Sequence, residues 1–229
     1  RELISWSYEL LSEDEQTLWR RMAVFTGGCT VSAAEEVCDP DDEFVVDIEV
    51  EGLVDKSLAN LTFITNEDGE EEARISMLGT LREYALQMLE EAGETEQFQA
   101  LFGDWAATLA DRASIALRGA KSVEMIELLD RENVNIQGAI DYYLHLPEPD
   151  WNRALQLGSG VWFYWFELGM LSSSRALLEH ALEELPGVED AVRARALRAL
   201  GPVARFQNDL ETAERACLLS LALCEQLDN

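Results

Sequence analysis

Apolar positions in the first half of the chain recur at helical spacing and then switch to strand spacing. Ser12-Glu13-Asp14-Glu15 has the form of a capping box, in which a serine oxygen accepts an orphan amide and a glutamate reaches back. Leu18, Met22 and Phe25 follow on one helical face, and Gly27-Gly28 ends the run. A short second helix is predicted from Ser32 to Cys38, where Ser32 is followed three residues later by Glu35, before Pro40 breaks the chain. Val46, Val50, Leu53 and Val54 mark a third helix. Beyond it the period becomes two: Leu61, Phe63 and Thr65 alternate along Asn60–Asn66, and Ala73, Ile75 and Met77 answer them. Glu67-Asp68-Gly69 supplies the turn between the two segments. Three helices and a hairpin are the order of a winged helix. Met77 and Leu78 close an alternating strand, which predicts core positions for both. Thr80-Leu81-Arg82-Glu83 has the form of a second capping box, opening a helix with Leu81, Ala85, Met88 and Leu89 inward and Gly93 at its end.

From residue 94 onward every periodic stretch is helical. Phe98, Leu101, Trp105 and Leu109 form one stripe, Met125, Leu128 and Leu129 another, and Asn133–Leu146 a further helix closed by Pro147-Glu148-Pro149. The last third repeats itself. Gly169-Met170-Leu171 and Ala181 correspond to Asn208-Asp209-Leu210 and Ser220 at a shift of 39 residues, as in a helix-turn-helix repeat. Leu197, Leu200-Gly201, Ala213 and Ser220 fall near the tetratricopeptide pattern, in a degenerate form with smaller residues at several aromatic positions. The run Trp162-Phe163-Tyr164-Trp165-Phe166 points its rings all round a helix. Most of them are predicted to pack between repeats, and Tyr164 and Trp165 are the candidates for a partner- or ligand-binding patch.

Charge changes this picture most. The 229 residues hold 45 acidic and 17 basic side chains, a net charge of −28, which repels phosphate backbones. The third helix and its borders carry Asp41, Asp42, Glu43, Asp47, Glu49, Glu51 and Asp55 against Lys56. The wing carries Glu67, Asp68, Glu70, Glu71 and Glu72 against Arg74. Both surfaces that a DNA-binding winged helix would use are therefore anionic. Four separated cysteines (29, 38, 217 and 224) without a CxxC pair read as buried thiols of a reducing cytoplasm. The two histidines, His145 and His180, read as packing or surface residues rather than zinc ligands. No apolar run has the ~20 residues of a membrane span, and no phosphate-binding loop or nucleophile elbow is present. No catalytic residue, metal ligand or cofactor site is predicted in this chain.

Five segments in order carry a family resemblance: Ser5-Trp6-Ser7-Tyr8-Glu9-Leu10-Leu11, Phe25-Thr26-Gly27-Gly28, Leu53-Val54-Asp55-Lys56-Ser57-Leu58, Met77 to Ala85, and Glu132-Asn133-Val134-Asn135-Ile136. The chain resembles the region after the nucleotide-binding domain in bacterial STAND-type regulatory ATPases, including antibiotic-regulatory and large LuxR-type transcriptional regulators. The resemblance is close over residues 1 to about 140 and loose beyond. It implies a mainly α protein: a winged-helix domain with a small β-hairpin at 1–93, then a helical bundle and a superhelical array of tetratricopeptide-like repeats at 94–229, cut from a longer protein.

In related ATPases a Met-His-Asp motif follows the hairpin, and its histidine contacts the phosphates of bound ADP. The matching positions here are Met77, Leu78 and Gly79. Leucine cannot donate a hydrogen bond, which removes the phosphate contact at Leu78; Arg82 could still reach a phosphate or an acidic partner, or pair with glutamates on a solvated helix face. ATP or ADP would belong to the parent protein. The function implied is regulatory and non-catalytic: the winged helix docks on and restrains the nucleotide-binding domain, and the repeats receive a partner protein or small-molecule signal in the cytoplasm. A directly DNA-binding regulator and a stand-alone repeat scaffold are the alternatives.

Overall fold

The computed structural model describes residues 2–65 and 71–227, in two compact units that divide between Trp105 and Ala106. The first unit contains α1 (Glu2–Glu9), α2 (Glu13–Met22), β1 (Cys29–Thr30), α3 (Val31–Cys38), α4 (Val46–Asp55), β2 (Asn60–Thr65), β3 (Glu71–Ser76) and α5 (Gly79–Glu91); α6 (Thr95–Ala116) spans the division. The sheet is antiparallel in the order β1-β3-β2, with Ile75 opposite both Cys29 and Leu61. Helices α2, α3 and α4 followed by the two long strands are in the order the periodicity predicts. The strand β1 is new. Two residues are too few for a period of two to show. The predicted turn Glu67-Asp68-Gly69 lies outside the described residues.

The capping box on α2 forms as its residues predict. The Glu15 amide donates to Ser12 Oγ at 3.1 Å, and the Ser12 amide donates to Glu15 Oε2 at 2.7 Å. Glu15 Oε1 also accepts from Lys56 Nζ at the end of α4. Gly52 makes room for this pair, since a Cβ there would stand 2.1 Å from Glu15 Oε1.

The helix start predicted at Ser32 and the second capping box predicted at Thr80 are corrected. Thr30 caps α3, accepting from the Ala33 amide at 3.2 Å, while Ser32 Oγ donates to Glu72 Oε1 across to β3 at 3.0 Å. At α5 the N-cap is Leu78, with no side-chain cap, and Thr80 lies within the first turn. Backbone geometry sets both starts: each helix has its N-cap two residues before the serine or threonine in the motif. Leu78, expected in the core, is 61% exposed because as N-cap it has left the strand's alternation. Phe63 likewise faces outward from β2.

Trp19, Leu18, Met22, Phe25, Leu53, Ile75 and Leu89 form the buried centre of the first unit. The Trp19 indole donates to the Leu58 carbonyl at 3.0 Å, so a large apolar ring is buried with its one polar atom satisfied. Arg20 and Arg21 of α2 both hold Glu94, at 2.5 and 3.0 Å, and Arg21 also donates to the Cys38 carbonyl and lies 4.4 Å over the Phe98 ring. Partial burial alone would raise the Glu94 carboxyl, but the two guanidiniums hold it below the usual range. Glu15 follows the same pattern, with Lys56 and the Ser12 amide outweighing burial.

The second unit adds α7 (Ser122–Leu144), α8 (Trp151–Glu167), α9 (Leu171–Glu179), a 3-10 turn (His180–Leu182), α10 (Asp190–Phe206) and α11 (Leu210–Leu227). The stripe at Met125 and the helix predicted from Asn133 are one continuous helix, α7, because no breaker stands between them. The repeat is regular: α8 recurs as α10, and the start of α9 as the start of α11, each 39 residues later. Gly169 and Asn208 occupy the same place, both with left-handed backbone at the close of the first helix (φ 73° and 63°). Leu155, Leu178, Leu197, Leu200, Val203 and Ala216 form a shared core.

Arg175 on α9 ties the two repeats, bonding Glu179 at 2.6 Å, Gln207 at 3.0 Å and the Asp209 carboxylate. Arg195 on α10 reaches the Asp111 carboxylate, the Gln156 carbonyl at 2.7 Å and Ser159 Oγ at 2.9 Å. Gly160 lets α8 approach α6, and a Cβ there would stand 2.5 Å from the Ala110 carbonyl oxygen. Of the cysteines expected to be buried, Cys29 and Cys38 are, whereas Cys217 and Cys224 lie exposed on α11.

Two outcomes follow from this packing. Glu15 and Glu94 have folded-state pKa values below their unfolded ones, so their contribution is present above the ordinary glutamate range and is lost as pH falls through and below it. Glu94→Gln is expected to lower stability at pH 7 by about 1–2 kcal/mol, allowing for the pair's partial exposure, and to flatten the acid limb of a pH series of denaturant melts. Gly160→Ala is expected to cost about 1–3 kcal/mol by overpacking. Gly79→Ala, where a Cβ meets nothing within 4 Å, should leave the melting temperature unchanged or slightly raised.

Candidate functional site

Val46, Val50 and Leu53 turn one face of α4 into the core, and the opposite face presents Asp47, Ile48, Glu51 and Asp55, with Val45 just before the helix. Lys56, the base beside this face, is committed to Glu15. Burial and the neighbouring carboxylates Asp14 and Glu15 push the Glu49 carboxyl up, a sign of how closely acids crowd here. On the hairpin, Arg74 donates through Nη2 to the Gly27 and Gly28 carbonyls at 3.0 and 3.1 Å. Glu67, Asp68 and Glu70 lie outside the described residues. The helix that would enter a major groove therefore carries an acidic and apolar face, to which a phosphate backbone adds only repulsion.

The three positions implied to lie near a nucleotide have different surroundings. Met77 is half-buried, Leu78 is exposed, and Arg82 lies on the first turns of α5, donating through Nη2 to Thr26 Oγ1 at 3.1 Å. Arg82 Nε is buried without a hydrogen-bond partner, and no carboxylate among the described residues faces this guanidinium. Burial lowers its pKa for that reason. The start of α5 also lacks a side-chain cap and any acidic residue in its first turn. Uncapped amides and an unneutralised arginine together form a small electropositive spot on an acidic unit.

In the helical unit the two aromatic candidates part company. Tyr164 is 2% exposed, and its hydroxyl donates to Asp130 Oδ1 at 2.7 Å; burial and that carboxylate hold the phenol well above the usual tyrosine range. It is a packed, hydrogen-bonded residue. Trp165 donates its indole N–H to Asn133 Oδ1 at 2.8 Å, and its ring reaches a cavity of about 420 Å³. From α7 this cavity takes Gln137, Ile140, Asp141 and Leu144, one face at helical spacing. The far wall comes from Met170, Ser173, Ala176, Leu177 and His180, and Trp151 from the start of α8 completes it. His180 lies against Trp151, with ring centroids 4.1 Å apart.

Sequence reading named Trp165 but missed Trp151 and Asp141. The spacing of Gln137, Ile140, Asp141 and Leu144 was available as a signal, yet that face looks like any helix flank until α9 is placed opposite. Among the described residues no cluster of three or more His, Cys, Asp or Glu is placed to hold a metal, and no helix is long and apolar enough to cross a membrane.

Comparison with known proteins supports the reading of the first unit. Residues 11–90 match the family model of a winged helix-turn-helix domain. These residues form a winged helix-turn-helix domain. Provisionally named HTH-type transcriptional regulators of Mycobacterium tuberculosis and Mycobacterium bovis are 32% identical over 207 residues, covering 86% of this chain and 22% of theirs. An uncharacterised M. tuberculosis protein is 34% identical over 102 residues, covering 41% of this chain and 23% of its own. No solved structure matches. The chain thus resembles regulator proteins while spanning about a fifth of the length of those it matches.

The charge on α4 predicts the outcome of a gel shift. Random duplex DNA at low ionic strength, where even non-specific binders register, should not be retarded by this chain; a salt-sensitive shift would place DNA on the winged helix after all.

Proposed function

We propose that this chain is a non-catalytic regulatory segment of a larger cytoplasmic signal-transduction ATPase. Its winged helix docks on an adjoining nucleotide-binding domain and restrains it. The paired helices, read as tetratricopeptide-like repeats, receive the signal. The observation that carries this reading is the solvent face of α4. It is a winged-helix recognition surface of Asp47, Glu51 and Asp55 around Val45 and Ile48, suited to a basic and apolar protein surface. The similarity to proteins named as transcriptional regulators supports a role in transcription regulation, and the acidic face argues that DNA is contacted elsewhere in such a protein. Arg82 beside the uncapped start of α5 supports a second contact, to a carboxylate or phosphate of the docked domain.

A signal at the helical unit shifts the docking equilibrium only by its difference in affinity for the docked and released states. Titrating this chain with the nucleotide-binding domain of its full-length protein is expected to show saturable association that slows nucleotide exchange. Ile48→Arg and Arg82→Ala should each weaken association by about tenfold, a loss of ~1.4 kcal/mol, without lowering the melting temperature. No association, together with no effect on exchange, would leave a stand-alone scaffold as the better description.

A further inference from the structure

We infer that the cavity of the helical unit is a binding site for a small organic cation with an aromatic or branched apolar body. This assignment rests on the signal-receiving role given to that unit above, and it names the chemistry of the signal.

Three features select the ligand. The cavity has the volume of a small-molecule site, about 420 Å³, and most of its wall is apolar. Two indoles reach it, and Trp165 already spends its N–H on Asn133, so it can offer a ligand only carbon and π surface. Indole is the aromatic group that attracts cations most strongly. Asp141 is the single carboxylate in the wall, no Lys or Arg lines it, and the one imidazole there, His180, lies against the Trp151 ring.

Asp141 differs from three other aspartates of this unit. Asp111 is engaged by Arg195, Asp209 by Arg175 and Asp130 by Tyr164. Asp141 uses its backbone carbonyl to accept from His145, and its side chain has no partner among the described residues. An apolar wall with two indoles and one uncommitted carboxylate disfavours an anion and gives a neutral molecule nothing for the carboxylate to do. A cation satisfies both. Gln137, one turn before Asp141, and Ser173 across the cavity can orient polar substituents of the ligand. The net charge of −28 further raises the local concentration of cations around the whole chain.

The test is calorimetric titration of the chain with three probes of nearly one shape: benzyltrimethylammonium, its neutral carbon counterpart neopentylbenzene, and phenylmethanesulfonate. The cation is expected to bind saturably at one site, at least about tenfold more tightly than the neutral probe, with the anion weaker still. Asp141→Asn, at an exposed position, should bring the cation down to the level of the neutral probe without changing the melting temperature. Glu90→Gln, which removes the same charge from the other unit, should change nothing. Equal binding of cation and neutral probe, or an unchanged affinity in Asp141→Asn, overturns the charge selection. Absence of saturable binding by any probe overturns the site itself. Docking is read separately: cation binding without association of the nucleotide-binding domain would refute the docking while keeping the pocket, and association without cation binding would do the reverse.

Discussion

Scarcity of positive charge organises this molecule. With 45 acidic side chains and 17 basic ones, the partly buried cations become the points where elements are tied together. Arg20 and Arg21 fasten α2 to Glu94, at the junction of α5 and α6, and Lys56 fastens α4 to the capping glutamate of α2. Arg175 links the two helical repeats, and Arg195 links α10 to α6 and α8. Each of these guanidinium or ammonium groups makes directional hydrogen bonds to carboxylates or carbonyls at the edge of an apolar core. There they fix the register between elements more than they add net stability.

The same scarcity gives significance to the groups left outside the pairing. Arg82 keeps its charge without an acid facing it, in a unit whose other surfaces are acidic. Asp141 keeps its charge without a cation, in the wall of a cavity lined by indoles. An unneutralised group at an otherwise satisfied surface is where a partner's opposite charge gains most, since no existing contact has to be broken. The acidic face of α4 belongs to the same logic: it lacks the positive charge through which a DNA reader attracts phosphates.

Much of the fold was legible because it depends on local pattern. The change from helical to alternating period at Asn60 marks the hairpin, and Ser12 with Glu15 marks the start of α2, since both are set by residues within one turn of each other. The repeat of the turn and start of α9 as the turn and start of α11 was visible for the same reason, whereas the matching of α8 to α10 came only with the structure. Helix starts that depend on where the preceding strand ends were less legible. Thr30, rather than Ser32, caps α3 because β1 pairs with β3, and α5 begins at Gly79 rather than after Thr80. The continuity of α7 was hidden by reading its stripes separately.

By itself the sequence determined the classes of element, their order, the repeat length and the anionic character of the chain. These follow from side-chain periodicity and summed charge, which need no knowledge of distant contacts. Only the tertiary structure decided which charges are neutralised and which remain. It separated neighbours on one helix, setting Tyr164 against Asp130 and Trp165 at the cavity, and it brought Asp141, Trp151 and Met170 around a common space. The physical reason is that pairing and enclosure depend on elements far apart in the chain being placed within a few ångströms. A charge or an indole has the same spelling in the sequence whether its partner is present or absent.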